Sequence, residues 1–187
     1  MRCRMHARYC VCEEVERLDL RTRIVVLMHY REWGKTTATA HLASLALSNF
    51  AIYLRGKVGQ PLPTKDLRDP ERRQLLLYPA EDARVLTREL VAEDPRPVTI
   101  VVPDGSWRQA SKVLTRVEAL HDVERIVLPP GPPSEYKLRR ETKEAGLATY
   151  EAIARTLGII EGIEVQKSLE RPFHAMVERT LLTRRGL

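Results

Sequence analysis

Asp104-Gly105-Ser106-Trp107 sets an acid, a flexible turn, a hydroxyl and a flat indole at consecutive positions. It follows Pro103 and the β-branched run Val98-Thr99-Ile100-Val101-Val102, which predicts a fully buried strand. It precedes Arg108-Gln109-Ala110-Ser111-Lys112-Val113-Leu114, which predicts a helix with Ser106 as N-cap. The four residues therefore stand at the carboxyl end of a strand, where open α/β sheets bind ligands. A carboxylate there can accept a proton, and an indole face can meet a cation. A plain strand-turn-helix corner, with a capping serine and a packed tryptophan, uses the same residues, and both readings stay open at this level.

A second group lies at the amino end. All three cysteines, Cys3, Cys10 and Cys12, fall within the first 12 residues, and with His6 they space as Cys-x2-His-x3-Cys-x-Cys. Thiolate and imidazole ligands suit a closed, tetrahedral, structural zinc site. Binding would order a terminus that has no core of its own. Unliganded thiols on a loose arm are the alternative. The odd cysteine count argues against disulfides in a chain of the cytoplasmic class.

The cations form a third group. Arg108 and Lys112 lie four apart on one face of the helix leaving the Asp104 corner. Such a row suits phosphates, although a solvated helix face has the same pattern. With Arg31, Lys35, Arg139 and Arg140 they are the candidate nucleic-acid-binding residues. His29, His41, His121 and His174 are scattered and read as structural or exposed; His29 stands out because it closes the first strand. Neither a Gly-x-Gly-x-x-Gly fingerprint nor a P-loop is present.

The elements that must position these groups alternate. Strands are predicted at 23–28, 51–55, 74–78, 98–102 and 125–128, and helices at 36–47, 81–90, 108–114, 147–158 and 165–183. Residues 56–73 and the run Pro129-Pro130-Gly131-Pro132-Pro133 read as loops. The pattern predicts an α/β fold, a mostly parallel sheet with helices on both faces. At 187 residues the chain holds one domain, 21–187, behind the Cys/His segment at 1–20. The net charge of +6 and pI near 9.4 favour a polyanionic partner such as nucleic acid. No apolar run approaches the roughly 18 residues of a membrane span. The start, Met1-Arg2-Cys3-Arg4, lacks a signal peptide's apolar stretch, so a cytoplasmic location is expected.

Asp104-Gly105-Ser106-Trp107 resembles the Asp-(Gly)-Thr-Trp signature of the DTW-domain family, with serine keeping the hydroxyl. Further blocks resemble it along the chain: His29-Tyr30-Arg31-Glu32 with Lys35 to Ala40, Leu77-Tyr78-Pro79-Ala80, Tyr136-x-Leu138-Arg139, and Leu147-Ala148-Thr149-Tyr150-Glu151-Ala152. Tyr30 stands where the family has proline, and His6 where one of its amino-terminal cysteines would be.

The resemblance implies a SPOUT-like fold whose carboxyl-terminal segment threads a trefoil knot. It also implies transfer of a 3-amino-3-carboxypropyl group from S-adenosylmethionine to a ring nitrogen of a tRNA uridine. Asp104 would act as general base or orient the uracil imide, with Ser106 and Trp107 beside it as catalytic candidates. The donor pocket would draw on Leu77, Tyr78, Pro79, Gly105, Leu128, Tyr136, Leu147 and Thr149, of which Leu77 and Leu128 equally suit the core. A non-catalytic, zinc-containing RNA-binding module and an RNA methyltransferase of similar fold are the other readings.

Overall fold

Six parallel strands form one sheet in the computed structural model, which describes residues 3–35, 37–63, 67–136, 138 and 146–184. The strands are β1 (Arg23–His29), β2 (Phe50–Arg55), β3 (Arg73–Leu77), β4 (Arg84–Val85), β5 (Val98–Asp104) and β6 (Glu124–Val127), in the order β2-β1-β5-β3-β6-β4. All pairs are parallel. The central strands are apolar along their length because parallel strands are covered on both faces: Ile24 to Met28 and Val98 to Val102 are all buried.

Helices cover both faces, as the alternation predicts. They are α1 (Ala40–Ala46), α2 (Arg88–Ala92), α3 (Trp107–Arg116), α4 (Thr149–Ile160) and α5 (Ile163–Arg184). Ile24, Val26 and Met28 point into one core with residues of α1, α4 and α5, and Val25 and Leu27 into a second with Val113 of α3. The split follows from the two-residue period of strand side chains. The amino-terminal segment is docked rather than loose. Val11 is fully buried in the larger core, and Arg179 of α5 donates to the Cys10 carbonyl at 2.5 Å.

Two element predictions need correction. The helix expected at 81–90 is instead a turn, the short strand β4 and then α2. The Leu86 N–H donates to the Val127 carbonyl at 2.8 Å, so the backbone here joins the sheet edge. The helix starts only where Thr87 Oγ1 caps the Leu90 N–H, at 3.1 Å. The helix expected at 36–47 forms only over Ala40–Ala46. Thr37 and Thr39 are used in tertiary contacts instead: the Thr37 carbonyl accepts from Tyr136 Oη at 2.7 Å, and Thr39 Oγ1 accepts from the Tyr150 N–H at 3.2 Å.

Register decides what meets at the carboxyl edge. Met28 of β1 is level with Asp104 of β5, and His29 with Arg55 of β2. The strand ends therefore bring His29, Arg55 and Asp104, distant in sequence, to one edge.

Candidate active site at the carboxyl edge of the sheet

Asp104 ends β5 near the middle of the sheet and is buried, 8% exposed. Its Oδ1 accepts from Thr149 Oγ1 at 2.5 Å, which ties the corner to the first residue of α4. Gly105 turns the chain with φ +149°, and a Cβ there would lie 2.8 Å from Gln109 Oε1. That oxygen accepts the Ser106 N–H at 2.7 Å, one half of a capping box at the start of α3. Ser106 itself is exposed, at the N-cap, and Trp107 is half-buried. The Trp107 ring meets Tyr78, just past β3, edge to face at 6.5 Å between centroids.

Gln109 also reaches across the edge. Its Nε2 lies 3.2 Å from His29 Nδ1, which accepts the Arg31 N–H as well, at 3.3 Å. Burial holds the His29 imidazole below the ordinary value, and the positive charges of Arg55 and Arg31 push the same way. The ring is therefore neutral at pH 7. With Nδ1 accepting twice, its proton is assigned to Nε2, on the side where Gly56 packs. A Cβ at Gly56, whose φ is +83°, would come within 3.0 Å of that nitrogen.

Arg55 is a buried charge in this cluster. A buried guanidinium is costly unless it is partnered. Its Nε donates to the Leu27 carbonyl at 3.4 Å, and its terminal nitrogen donates to the Gln109 carbonyl. Burial lowers its pKa, and the nearby Asp104 carboxylate opposes that loss.

The remaining predicted donor-site residues divide. Leu77, Tyr78, Leu128, Leu147 and Thr149 are half-buried and Pro79 is exposed, and all lie at strand ends or the start of α4. Leu77 and Leu128 also pack against the larger core. Tyr136 is buried, 6.0 Å from the Phe173 ring.

Among the cations, Arg108 is exposed and Lys112 half-buried on α3, while Arg31 is exposed over the Tyr30 ring at 5.6 Å. Lys35 pairs with the buried Glu32 at 2.6 Å. Arg139 and Arg140 lie outside the described residues.

At the amino end, the structure brings together three of the four predicted metal ligands. The sulfurs of Cys3, Cys10 and Cys12 lie within 4.8 Å of one another, and Cys3 and Cys10 are 3.6 Å apart. A tetrahedral zinc with bonds of about 2.3 Å separates its sulfurs by about 3.8 Å, so the three thiols fit one ion. Burial pushes the Cys3 thiol up, but hydrogen bonds with the Met5 and Val11 backbone outweigh it and leave the thiol below its ordinary value. His6 is not in the group; it is exposed, and its Nδ1 accepts the Arg8 N–H at 3.4 Å.

Sequence reasoning missed Arg55, Gln109 and Glu151 as parts of this site. Glu151 is buried and accepts from Ser134 Oγ at 2.5 Å, the Glu135 N–H at 2.7 Å and the Ala148 N–H at 2.8 Å. It holds the proline-rich loop against the start of α4, next to Thr149. An acid in a helix's first turn was the available signal. Arg55 offered only a charge ending an apolar strand.

The DTW domain family matches residues 1–181. The chain belongs to the DTW-domain family. A Drosophila melanogaster protein named tRNA-uridine aminocarboxypropyltransferase 2 is 30% identical over 165 residues, covering 86% of this chain and 65% of its own length. A Macaca fascicularis protein of the same name is 26% identical over 185 residues, covering 94% of this chain and 61% of its own. The chain thus spans somewhat less than two thirds of the length of these relatives. No solved structure matches the chain.

Proposed function

We propose that this DTW domain moves the 3-amino-3-carboxypropyl group of S-adenosylmethionine to N3 of a tRNA uridine. The observation that carries the reading is the buried Asp104, bonded to Thr149 and beside Trp107 at the end of a central strand. The relatives' names and the basic charge of the chain support it.

Bound donor supplies an electrophilic carbon on a sulfonium: N3 forms the new C–N bond, the C–S pair leaves with methylthioadenosine, and the N3 proton is released. Asp104 accepts or orients that imide proton. Thr149 fixes the carboxylate's orientation through Oδ1. Trp107 and Tyr78 offer aromatic surface to a cation, which suits a sulfonium. Gly105 brings backbone close, and the exposed Ser106 hydroxyl stands at the same lip. Leu77, Pro79, Leu128 and Leu147 supply the apolar walls for the adenine. Choosing the aminocarboxypropyl carbon rather than the methyl is a positioning effect. Arg31, Arg108 and Lys112 flank the corner and would meet phosphates.

Zinc belongs to the proposal as a structural ion held by Cys3, Cys10 and Cys12, closing residues 1–20 against domain 21–187. The trefoil knot belongs to it as well, as the family resemblance implies. A cytoplasmic location fits tRNA as substrate. No helix among the described residues is long and apolar enough to cross a membrane.

The test is incubation of tRNA with the protein and S-adenosylmethionine labelled on its aminocarboxypropyl chain, followed by mass analysis. Label in a uridine with methylthioadenosine released supports the proposal. Release of S-adenosylhomocysteine would mark a methyltransferase. RNA binding with no donor binding would mark a non-catalytic module.

A further inference from the structure

A groove of about 300 Å³ opens beside the sheet, lined by Arg4, Trp33, His41, Ser44 and residues 50–52 of β2. Among the described residues no carboxylate lines it. β2 is an edge strand, so the groove is open to solvent along that flank.

Trp33 is 42% exposed although it is one of only two tryptophans. The Arg4 guanidinium lies over its ring, 4.6 Å from the centroid. The same guanidinium donates to the Trp33 carbonyl at 2.5 Å and sits 2.7 Å from His41 Nε2. His41 meets the indole edge-on at 4.8 Å. Burial, reinforced by Arg4, keeps the His41 ring below its ordinary value, and its Nε2 also lies 3.2 Å from the Trp33 carbonyl, so the ring is wedged between that carbonyl and the guanidinium. Arg4 has φ +62°, the only positive φ outside glycine among the described residues. Side chains held in this unfavourable backbone region persist where the surroundings over-determine them, and such positions gather at ligand clamps.

We propose that this groove binds an unpaired nucleobase of the RNA substrate by stacking on the Arg4–Trp33 pair. The proposal rests on the transferase reading above. Unpaired bases stack on aromatic rings and guanidinium planes with little regard to sequence. The cation and the lack of acids among the described lining residues favour a polyanion over a basic peptide. The groove is joined to the reacting corner by a short path: Trp33 follows His29 on one loop, and His29 contacts Gln109 of α3. Arg31 stacks over Tyr30 on the same turn. The segment carrying the three cysteines would thus have a second task, because Arg4 is presented by it.

Two experiments test this. Trp107→Phe leaves Trp33 as the sole indole, and tRNA is expected to quench its fluorescence on binding. Trp33→Ala is expected to raise KM for tRNA about tenfold, the loss of one base-aromatic stack, with kcat and donor affinity unchanged. Ser44→Glu, at an exposed helix position, is expected to do the same without removing the ring, which separates lost binding from lost folding. Transfer with KM unaltered in both variants, and no fluorescence response to bound tRNA, would overturn the groove and leave the transferase reading intact. No tRNA binding by the unaltered protein would overturn both. Self-association that disappears in Trp33→Ala with RNA affinity unchanged would assign the groove to a second copy of the chain, and so overturn the proposal.

Discussion

Replacing Glu151 tests whether the site is held from behind. The carboxylate is buried and takes hydrogen bonds from Ser134 Oγ, the Glu135 N–H and the Ala148 N–H. It also stands in the first turn of α4, where the helix dipole favours a negative charge. Hydrogen bonds to charged groups contribute about 1.5–3 kcal/mol each, and donors left buried without partners add to the loss. Allowing for partial rehydration of the loop, Glu151→Ala should destabilise the fold by about 3–5 kcal/mol. In a domain of this size that lowers the melting temperature by about 10 °C. Glu151→Gln keeps the shape and one acceptor oxygen, so its loss should be about half as large. Differential scanning calorimetry reads both. Because Thr149 is anchored by the same turn, Glu151→Gln should also lose transfer activity beyond its stability deficit, measured well below its melting point. A Glu151→Ala protein that melts within 1 °C of the unaltered chain would refute the clamp.

Asp104→Asn should reduce transfer by about 10²–10⁴-fold, read as label entering tRNA, with donor binding retained. Gly105→Ala should destabilise by about 1–3 kcal/mol, because its Cβ would strike Gln109 in a positive-φ turn; a thermal melt checks it. His29 and His41 are both depressed, chiefly by burial, from the ordinary 6.5. The unfolded chain therefore binds more protons at acid pH. Their contribution to stability is complete above about pH 6.5 and is lost as pH falls through the lower folded values. Melting temperature should drop over that range, and His29→Asn with His41→Asn should flatten the slope. For the metal, elemental analysis should find about one zinc per chain. That zinc should be lost in Cys10→Ser and kept in His6→Asn, since His6 stands outside the thiol group; loss in His6→Asn would restore His6 as the fourth ligand.

Local chemistry was legible in the sequence wherever neighbours along the chain suffice. The run Val98–Val102 reads as a covered strand and Gly105 with Ser106 as a turn entering a helix, which sets Asp104 at a strand end, where the structure has it. The cysteine spacing likewise brought Cys3, Cys10 and Cys12 together, because a short loop closes at small entropic cost. The helix reading of residues 81–90 failed because it rested on acids in a first turn, which the helix dipole favours, whereas a free edge on β6 offered backbone bonds that outweighed it. What tertiary structure alone decided is which distant residues share the edge. Register sets Arg55 and His29 level and puts Asp104 beside Met28, and Thr149 and Glu151 arrive from α4, at the other end of the sequence. No periodicity encodes those meetings. They follow from strand order, and strand order is fixed by how the two cores close over the sheet rather than by any local run of residues.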